Sequence, residues 1–412
     1  MARSSWRKVV ICLLAFAALL AYMAFDAGHN KIVLVLGANG INSQPVVNPR
    51  VWVICAAAAA VCAIAAVVTF VGRSTGWTHL ASRISFGLGV AGMLLGYLTW
   101  ATQSSRLSLS NIVVAGIGGA TPLLLGSTTG VLSERAGVIN IAIEAEFLAS
   151  ACASAVVATI THSVYLGLLA GIGGGMIVGA MLALLAVRYS VDQLVAGLIL
   201  ITLVSGITGY LVQQFLDPEA PTLNSPAIFS PIGIPGLDKI PIIGRGLFDQ
   251  TIIFYLAVVI IVLVELMLSH TVMGLRIRAC GEHPSAALSS GINVRHVRFA
   301  VVVVTGGIAG IGGTYFTLGS AGEFVAQMSA GLGYVSLAAV IFGGWRASRA
   351  ALAALLFGFA SSVATSLGLL NVNVNPELLI IAPYAVTIIA LAGVVGGNAR
   401  APAADGQPLV EG

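Results

Sequence analysis

The sequence predicts an all-α polytopic membrane protein, and its composition carries most of that prediction. Of 412 residues, 58% are hydrophobic and 8% are charged, whereas soluble domains are about a quarter charged. The chain holds 49 glycines, and small residues let membrane helices approach closely. The sequence has no Gly-X-Y repeat, which excludes a collagen, and its high apolar content excludes a disordered chain. An ordinary soluble enzyme is excluded as well.

Apolar segments then give the number of crossings. A hydrocarbon core of roughly 30 Å requires about 20 apolar helical residues. Runs between charged or turn-rich breaks predict twelve segments, near 9–25, 51–72, 84–100, 111–132, 137–161, 164–187, 191–216, 251–269, 297–319, 331–345, 350–370 and 377–396. The run 331–345 is short and glycine-rich, so it either crosses or forms a half-helix or re-entrant segment.

Charge placement orients the chain in a bilayer. Most of the 19 lysines and arginines fall in alternate loops, which predicts cytoplasmic N- and C-termini. The basic start at Arg3–Lys8 resembles a signal peptide, but the apolar run 9–25 is longer than the roughly 7–15 residues of such a segment. We therefore predict an uncleaved first helix. The polar residues 398–412 are predicted to be a disordered cytoplasmic tail.

Several kinds of chemistry lack their sequence signatures. The net charge of +4 comes from scattered residues, which does not indicate a nucleic-acid binder. The 5 cysteines include no C-x-x-C pair, so neither a disulfide framework nor a metal site is predicted. No Gly-Lys pair exists to form a nucleotide-binding P-loop, and no protease or hydrolase motif occurs. We predict no catalytic residue in this chain.

The first polar constellation lies in an apolar run, at Asn140, Glu144 and Glu146. Burying a carboxylate at mid-bilayer costs roughly 2.5–3.5 kcal/mol, which indicates a polar cavity or a protein partner. Residues two apart on a helix project about 200° from each other, so the two carboxylates would not share a site. We predict that Asn140 and Glu144 face a polar pathway. The alternative is that these residues cap helices near the cytoplasmic boundary.

The second constellation is the loop 270–296, on the predicted cytoplasmic side. Pro284 suits the first turn of a helix and Gly291 its end. Glu282 would place a negative charge beside the positive end of that helix. The pattern predicts a short helix over 284–290 that docks to a partner, with a simple connector as the alternative.

Glycine spacing predicts where helices pack. Gly171, Gly175 and Gly179 are four residues apart, as are Gly306 and Gly310. Faces of this kind permit close approach of two helices. We predict a structural role for these glycines and no chemistry.

Three motifs in the same order carry a resemblance to a known family. They are a Ser-Glu-Arg stretch with Asn-Ile and a glutamate over 133–144, the loop Gly274–Ile292, and the segment Leu332–Gly358. Over residues 111–397 the chain resembles the permease subunit of bacterial ABC importers for branched-chain amino acids, simple sugars and nucleosides. The likeness is greatest to the nucleoside branch. Glu146 departs from the pattern, because the family commonly has an apolar residue or Gln there.

The resemblance implies a domain organisation and a set of partners. Residues 1–105 would be an extension with three transmembrane helices, 106–397 the permease core and 398–412 the tail. ATP and magnesium would be used by separate ATPase subunits, and this chain would bind no cofactor. The other implied partners are a second related permease, an extracellular solute-binding lipoprotein and a nucleoside, all at the bacterial cytoplasmic membrane. The implied ATPase coupling helix comprises Gly281, Glu282, Pro284, Ser285, Ala286, Ala287, Leu288 and Gly291.

A nucleoside pathway needs apolar or aromatic walls with a few hydrogen-bonding groups. The candidate residues for it are Asn140, Glu144, Phe316 and Gln327. The same machinery importing a simple sugar or a branched-chain amino acid is an alternative. A secondary transporter with Glu144 as a proton carrier is a second alternative, and a membrane assembly protein without transport is a third.

Overall fold

The chain is almost entirely helical in the parts that the structure describes. The computed structural model describes residues 5–27, 33–35, 46–47, 49–71, 106–237, 240, 244–369 and 401–407, with isolated positions between 89 and 100. The longer helices are α1 Ser5–Asp26, α2 Val51–Val71, α3 Leu109–Arg135, α4 Ile143–Thr161, α5 Val164–Ala183 and α6 Gln193–Leu211. After the short helices α7 Ala220–Leu223 and α8 Gly244–Phe248 follow α9 Ile252–His270, α10 Val272–Glu282, α11 Pro284–Ser289, α12 Val294–Thr314, α13 Leu332–Gly343 and α14 Ala347–Leu369.

Irregular helical turns and short strands complete the secondary structure. Three helices continue into wider π-helical turns, α5 over Leu184–Arg188, α6 over Val212–Leu216 and α12 over Tyr315–Ala321. The strands are β1 Val33–Val35, β2 Val46–Val47, β3 Arg106–Ser108, β4 Ile232–Gly233 and β5 Asp249–Gln250. β1 pairs antiparallel with β2, Leu34 opposite Val47, and parallel with β3.

The chain divides into two compact units. The first comprises Met1–Ile117, Gly233–Asp249 and Phe359–Asn398. In it, α1 and α2 pack through an apolar seam whose fully buried members include Leu13, Leu20, Cys55 and Cys62. The positions described between 89 and 100 are helical, as predicted for the third helix of the extension. The predicted segment 377–396 lies outside the described residues.

The second unit, Gly118–Ile232, Gln250–Gly358 and Ala399–Gly412, contains the predicted glycine contact. A Cβ on Gly306 would lie 2.5 Å from the Gly175 carbonyl oxygen, and one on Gly310 would lie 2.6 Å from that of Gly171. Helices α5 and α12 therefore touch backbone to backbone. The predicted packing role of these glycines is confirmed, because no larger residue fits between the two helices.

Among the residues that the structure describes, seven helices are long and apolar enough to cross a membrane. They are Val51–Phe70, Ser110–Arg135, Ile143–Thr161, Val164–Arg188, Gln193–Leu216, Ile252–His270 and Val294–Ala321, and each coincides with a predicted segment. Val10–Asp26, Leu332–Gly343 and Ala347–Ser362 are shorter apolar helices, also at predicted positions. Twelve crossings and cytoplasmic termini stay predictions.

One predicted segment begins later than expected. The run 137–161 was expected to be one helix, but α4 begins at Ile143. Gly137 has a φ of +87°, and the chain turns after α3 through a hydrogen bond from its N–H to the Glu134 carbonyl (2.9 Å). A left-handed residue ends a helix, so Asn140 lies on a non-helical stretch between two helices.

For the run 331–345 the sequence left open a crossing and a half-helix or re-entrant segment, and the structure has a short helix there. Helix α13 has 12 residues, which corresponds to about 18 Å and is too short to cross a bilayer alone. After α13 the Trp345 carbonyl oxygen accepts a hydrogen bond from Arg135 Nε (2.9 Å), at the end of α3. An irregular stretch over 322–331 followed by α13 thus returns the chain to the level where α3 ends.

Candidate functional site

The polar interior of the second unit is centred on Glu144. This residue is in the first turn of α4 and only 4% exposed. Its Oε1 accepts hydrogen bonds from the Ser329 hydroxyl (2.6 Å) and the Gly331 N–H (2.8 Å). Its Oε2 accepts one from the Gly333 N–H (2.7 Å). The carboxylate therefore lies at the starts of α4 and α13, where helix dipoles favour a negative charge.

Close backbone contact makes this arrangement possible. A Cβ on Gly333 would lie 2.5 Å from the Glu144 backbone nitrogen and 2.8 Å from its Oε2. Gly331 has a φ of +81°, a conformation that glycine adopts without a steric penalty. The two glycines bring the orphan N–H groups of α13 against a charge that would otherwise be unpaired in an apolar environment.

Glu146 has a different partner from Glu144, as the two-residue spacing predicts. Asn140 Nδ2 donates a hydrogen bond to Glu146 Oε1 (3.0 Å). Both side chains are fully buried, and among the described residues Asn140 Oδ1 and Glu146 Oε2 have no hydrogen-bond partner. Asn140 and Glu144 were both predicted to face a polar pathway; the structure pairs Asn140 with Glu146 and gives Glu144 other partners.

Phe316 and Gln327 both precede the segment that binds Glu144 and have different surroundings. The Phe316 ring packs edge-on against Phe147 with a centroid separation of 5.7 Å, and Phe316 also contacts the apolar cluster containing Leu332. Gln327 is exposed and its Nε2 hydrogen-bonds to the Ser205 hydroxyl. The structure thus places Phe316 near the Glu144 region and directs Gln327 away from it.

Sequence reasoning missed a set of buried hydroxyl groups in the same unit. The Thr129 hydroxyl donates to the Thr305 carbonyl oxygen (3.1 Å), joining α3 to α12. Ser154 and Thr317 hydrogen-bond through their hydroxyls (2.8 Å), joining α4 to the end of α12. Serine and threonine inside apolar runs are the pattern that could have identified them, since such residues link membrane helices.

The loop between α9 and α12 contains the predicted short helix. Pro284 is at the first turn of α11 and Gly291, with a φ of +80°, follows its end. The predicted helix over 284–290 is therefore confirmed to within one residue. Leu288 is 48% exposed, whereas Ala287 is only 4% exposed and packs on Cys280 and Val294. The two residues were both expected on the docking face, but Ala287 faces inward.

The loop between α9 and α12 is in contact with the end of α3. A Cβ on Gly281 would collide with the Arg135 carbonyl oxygen, so α10 touches the turn after α3. Arg135 forms an ion pair with Glu282 (3.7 Å), and the neighbouring Glu134 accepts a hydrogen bond from the Trp345 indole. Glu282 was expected to act on the start of α11, yet its carboxylate is directed to Arg135.

A cavity of about 250 Å³ opens beside α11, lined by Ala279, Glu282, His283, Ala286, Ala287, Ser290 and Ile292. Below it Cys280 is fully buried. Burial raises the pKa of the Cys280 thiol, and the positive charge of Arg298 opposes that rise. The thiol is therefore neutral at pH 7, and this end of α10 serves packing. No cluster of His, Cys, Asp and Glu suited to a metal occurs among the described residues.

These features define a class of protein, a multi-pass helical membrane protein with a polar interior and an exposed helix standing on a loop between two spans. The sequence assigns the chain within that class. Residues 112–391 match the family described as "Branched-chain amino acid transport system / permease component". The chain belongs to this family.

Curated relatives align along most of their own length. The guanosine ABC transporter permease protein NupQ of Bacillus subtilis is 35% identical over 315 residues, 74% of this chain and 98% of the relative. The nucleoside ABC transporter permease protein NupC of Lactococcus lactis is 35% identical over 301 residues, 71% and 94%. A putative glucose ABC transporter permease protein of Haloferax volcanii is 30% identical over 304 residues, 69% and 92%. No solved structure matches the chain significantly.

Proposed function

We propose that this chain is a membrane subunit of an ABC importer and forms the pathway for nucleosides across a bacterial cytoplasmic membrane. The observation that carries the proposal is α11, an exposed helix on a loop anchored to the ends of the spans by Gly281 and Arg135. ATPase subunits would bind there and hydrolyse ATP with magnesium, since this sequence has no P-loop. The names of the two 35% identical relatives, a guanosine and a nucleoside permease, support a nucleoside as substrate.

The transport cycle would move the α11 loop. A loaded solute-binding lipoprotein docks on outer loops that include 217–250, and a second related permease completes the pathway. Closure of the ATPase subunits shifts α10 and α11. Because both are in contact with the ends of long helices, the shift changes which side of the membrane has access to the pathway.

The candidate pathway residues would divide into two roles. Phe316 is partly buried and offers an aromatic face to a flat base, and Gln327 is exposed with an amide that can hydrogen-bond to a polar group. Glu144 is satisfied by its neighbours, and the amide nitrogen of Asn140 is bound to Glu146. They would therefore hold the backbone that shapes the pathway, and the substrate would contact Phe316 and Gln327.

The test is uptake of labelled guanosine and adenosine in cells with and without this gene, in a strain lacking other nucleoside importers. Unlabelled nucleosides, ribose and leucine serve as competitors. Loss of uptake on deletion, with competition by nucleosides alone, is the expected result. Unchanged uptake would contradict the nucleoside assignment.

A simple sugar is the second candidate substrate, and one relative supports it. The Haloferax volcanii protein is named as a putative glucose permease and is 30% identical to this chain. The same uptake strain distinguishes the two substrates, because a sugar importer takes up labelled ribose or glucose without competition from guanosine.

An ion-coupled transporter with Glu144 as proton carrier is disfavoured by geometry. Both carboxylate oxygens accept hydrogen bonds from groups of the chain itself. Breaking these bonds would detach the start of α13 from α4. Depleting ATP while the ion gradient is clamped separates the two classes. We expect uptake to stop under these conditions, whereas an ion-coupled transporter continues.

A further inference from the structure

Residues 401–407 pack against the α10 end of the loop, contrary to the disorder expected from their composition. The Ala404 N–H donates to the Gly281 carbonyl oxygen (2.9 Å). The Ala403 N–H donates to Glu282 Oε2 (3.3 Å). Gly406 is in the left-handed region, with a φ of +74°, and a Cβ there would lie 2.7 Å from Ile139. The segment is thus fitted to the end of α10 and to the turn between α3 and α4.

Arg298, near the start of α12, joins the same surfaces. Its guanidinium donates to the carbonyl oxygens of Gln407 (3.0 Å), Cys280 (3.1 Å) and Ala404 (3.4 Å). The residue is only 2% exposed, and a buried cation is tolerated when it is hydrogen-bonded. One side chain therefore binds the membrane helix α12, the end of α10 and the 401–407 segment together.

The neighbouring backbone leaves room for this guanidinium. A Cβ on Gly137 would collide with the Arg298 Nη2 atom and would lie 3.2 Å from the Ala404 carbonyl oxygen. The turn after α3 is thus a fourth segment in contact with the Arg298 guanidinium. All of these contacts belong to the second compact unit.

We propose that Arg298 and residues 401–407, here called the Arg298 clamp, fix the orientation of the α10–α11 loop on α12 and so transmit ATPase movement to the membrane helices. The proposal rests on the proposed function, because it assigns a task to the same docking loop. Arg298 is a positioning residue, since it acts through Cys280 and through the segment. Without Arg298 the loop would depend on the Gly281 contact, the packing of Ala287 on Val294 and the partly exposed Arg135–Glu282 pair, and surface ion pairs contribute little.

The experiment compares variants of the full complex reconstituted in proteoliposomes. Arg298→Lys keeps the charge but loses the planar fork that reaches three carbonyl groups. Ala404→Lys places a second cation in a buried position of the segment. Arg349→Lys is the matched control, since Arg349 is exposed and outside the clamp. Correct insertion is checked first by the elution profile of the purified complex.

We expect Arg298→Lys and Ala404→Lys to lower the number of nucleosides moved per ATP hydrolysed by about fivefold or more, the lower end of typical coupling between sites. ATP hydrolysis continues in both variants, and Arg349→Lys behaves as the unmodified chain. Equal transport per ATP in all four proteins would overturn the clamp.

A substrate-free measurement separates failure of the clamp from failure of the proposed function. Amide hydrogen exchange of residues 279–292 is followed in the purified permease. The clamp predicts faster exchange in Arg298→Lys and Ala404→Lys than in the Arg349→Lys control. Equal exchange overturns the clamp whatever the substrate is. Faster exchange with no nucleoside transport by any protein, the unmodified one included, leaves the clamp standing and contradicts the nucleoside function.

Discussion

Two regions of this protein bury charges of opposite sign and stabilise them mainly through backbone groups. Around Glu144, N–H groups of Gly331 and Gly333 and one hydroxyl donate to a carboxylate. Around Arg298, a guanidinium donates to three backbone carbonyl groups. In both places the backbone, and not an opposite charge in direct hydrogen-bond contact, stabilises the ion.

The two sites differ in the segment of the chain that supplies these backbone groups. The donors to Glu144 belong to the start of α13, so releasing them leaves a charge within apolar spans, at a cost of roughly 2.5–3.5 kcal/mol or more. Two of the acceptors of Arg298 belong to the short 401–407 segment, whose departure would admit water to the guanidinium. A charge held by backbone groups is therefore permanent at Glu144, within the membrane helices, and releasable at Arg298, at their edge.

The largest expected effect comes from removing the carboxylate. Glu144→Ala leaves two backbone N–H groups and the Ser329 hydroxyl without an acceptor. Each orphaned donor costs about 1–3 kcal/mol, so we expect at least about 3 kcal/mol of lost stability. Thermal unfolding of the purified chain in detergent measures it. Glu146→Gln is the control and should cost less than about 1 kcal/mol, because one oxygen still accepts from Asn140; equal losses in the two variants would refute the assignment.

Replacing the glycines that make room for the two charged groups should also cost more stability beside Glu144 than beside Arg298. Gly333→Ala drives a methyl group into the Glu144 backbone and should cost about 1–3 kcal/mol or more. Gly137→Ala should cost about 1–2 kcal/mol, chiefly for its left-handed conformation, since the atom nearest to a Cβ there belongs to a side chain and not to the backbone. Gly173→Ala is the control, since nothing lies within 4 Å of a Cβ there. A lower unfolding midpoint for Gly137→Ala than for Gly333→Ala would contradict this prediction.

The release of the 401–407 segment should depend on pH through Asp405. Burial raises the pKa of Asp405 from 3.8 to about 7, opposed by Arg298 and by the Gly406 backbone. The docked segment therefore keeps a proton that the released segment loses. Docking is favoured at low pH and weakens as pH rises from 3.8 to about 7, by up to about tenfold per pH unit.

Limited proteolysis within 401–407 tests this dependence, with Asp405→Asn as the matched control at each pH. Glu134 and Arg298 are the charged groups that interact with Asp405, and both are retained in the control. Cleavage of the unmodified chain relative to the control should rise up to pH 7 and then level off. A ratio that is constant from pH 4 to 8 would show that Asp405 does not govern the segment.

The smallest effect on stability is expected on the exposed side of α11. Leu288→Asp should change the free energy of unfolding by no more than about 0.5 kcal/mol, because the side chain is a solvent-exposed surface residue. It should nevertheless lower the ATPase activity stimulated by loaded binding protein, since a charge replaces an apolar docking contact. Ala287→Asp, at a buried position of the same helix, should instead unfold the loop. Full stimulated activity in Leu288→Asp would remove α11 from the docking site.

The candidate residues show where prediction from the sequence stopped. Pro284 and Gly291 marked the ends of α11 because proline and glycine restrict or permit backbone angles locally. Glu144 could be recognised as a buried charge, but its donors at residues 329–333 lie far along the chain. The hydrogen bond between Asn140 and Glu146 was not predicted, because the non-helical stretch after Gly137 sets where Asn140 lies relative to α4.

The sequence by itself determined the class of protein, the positions of the helices and the family. Each follows from composition, local backbone preference or the order of motifs, and none needs knowledge of which segments touch. Only the tertiary structure decided which charge meets which backbone group, that Ala287 faces inward, and that residues 401–407 close over Arg298. Several of these outcomes depend on contacts between residues more than a hundred positions apart, such as Arg298 and Gln407. A polar residue finds its partner only when the helices that carry both have packed.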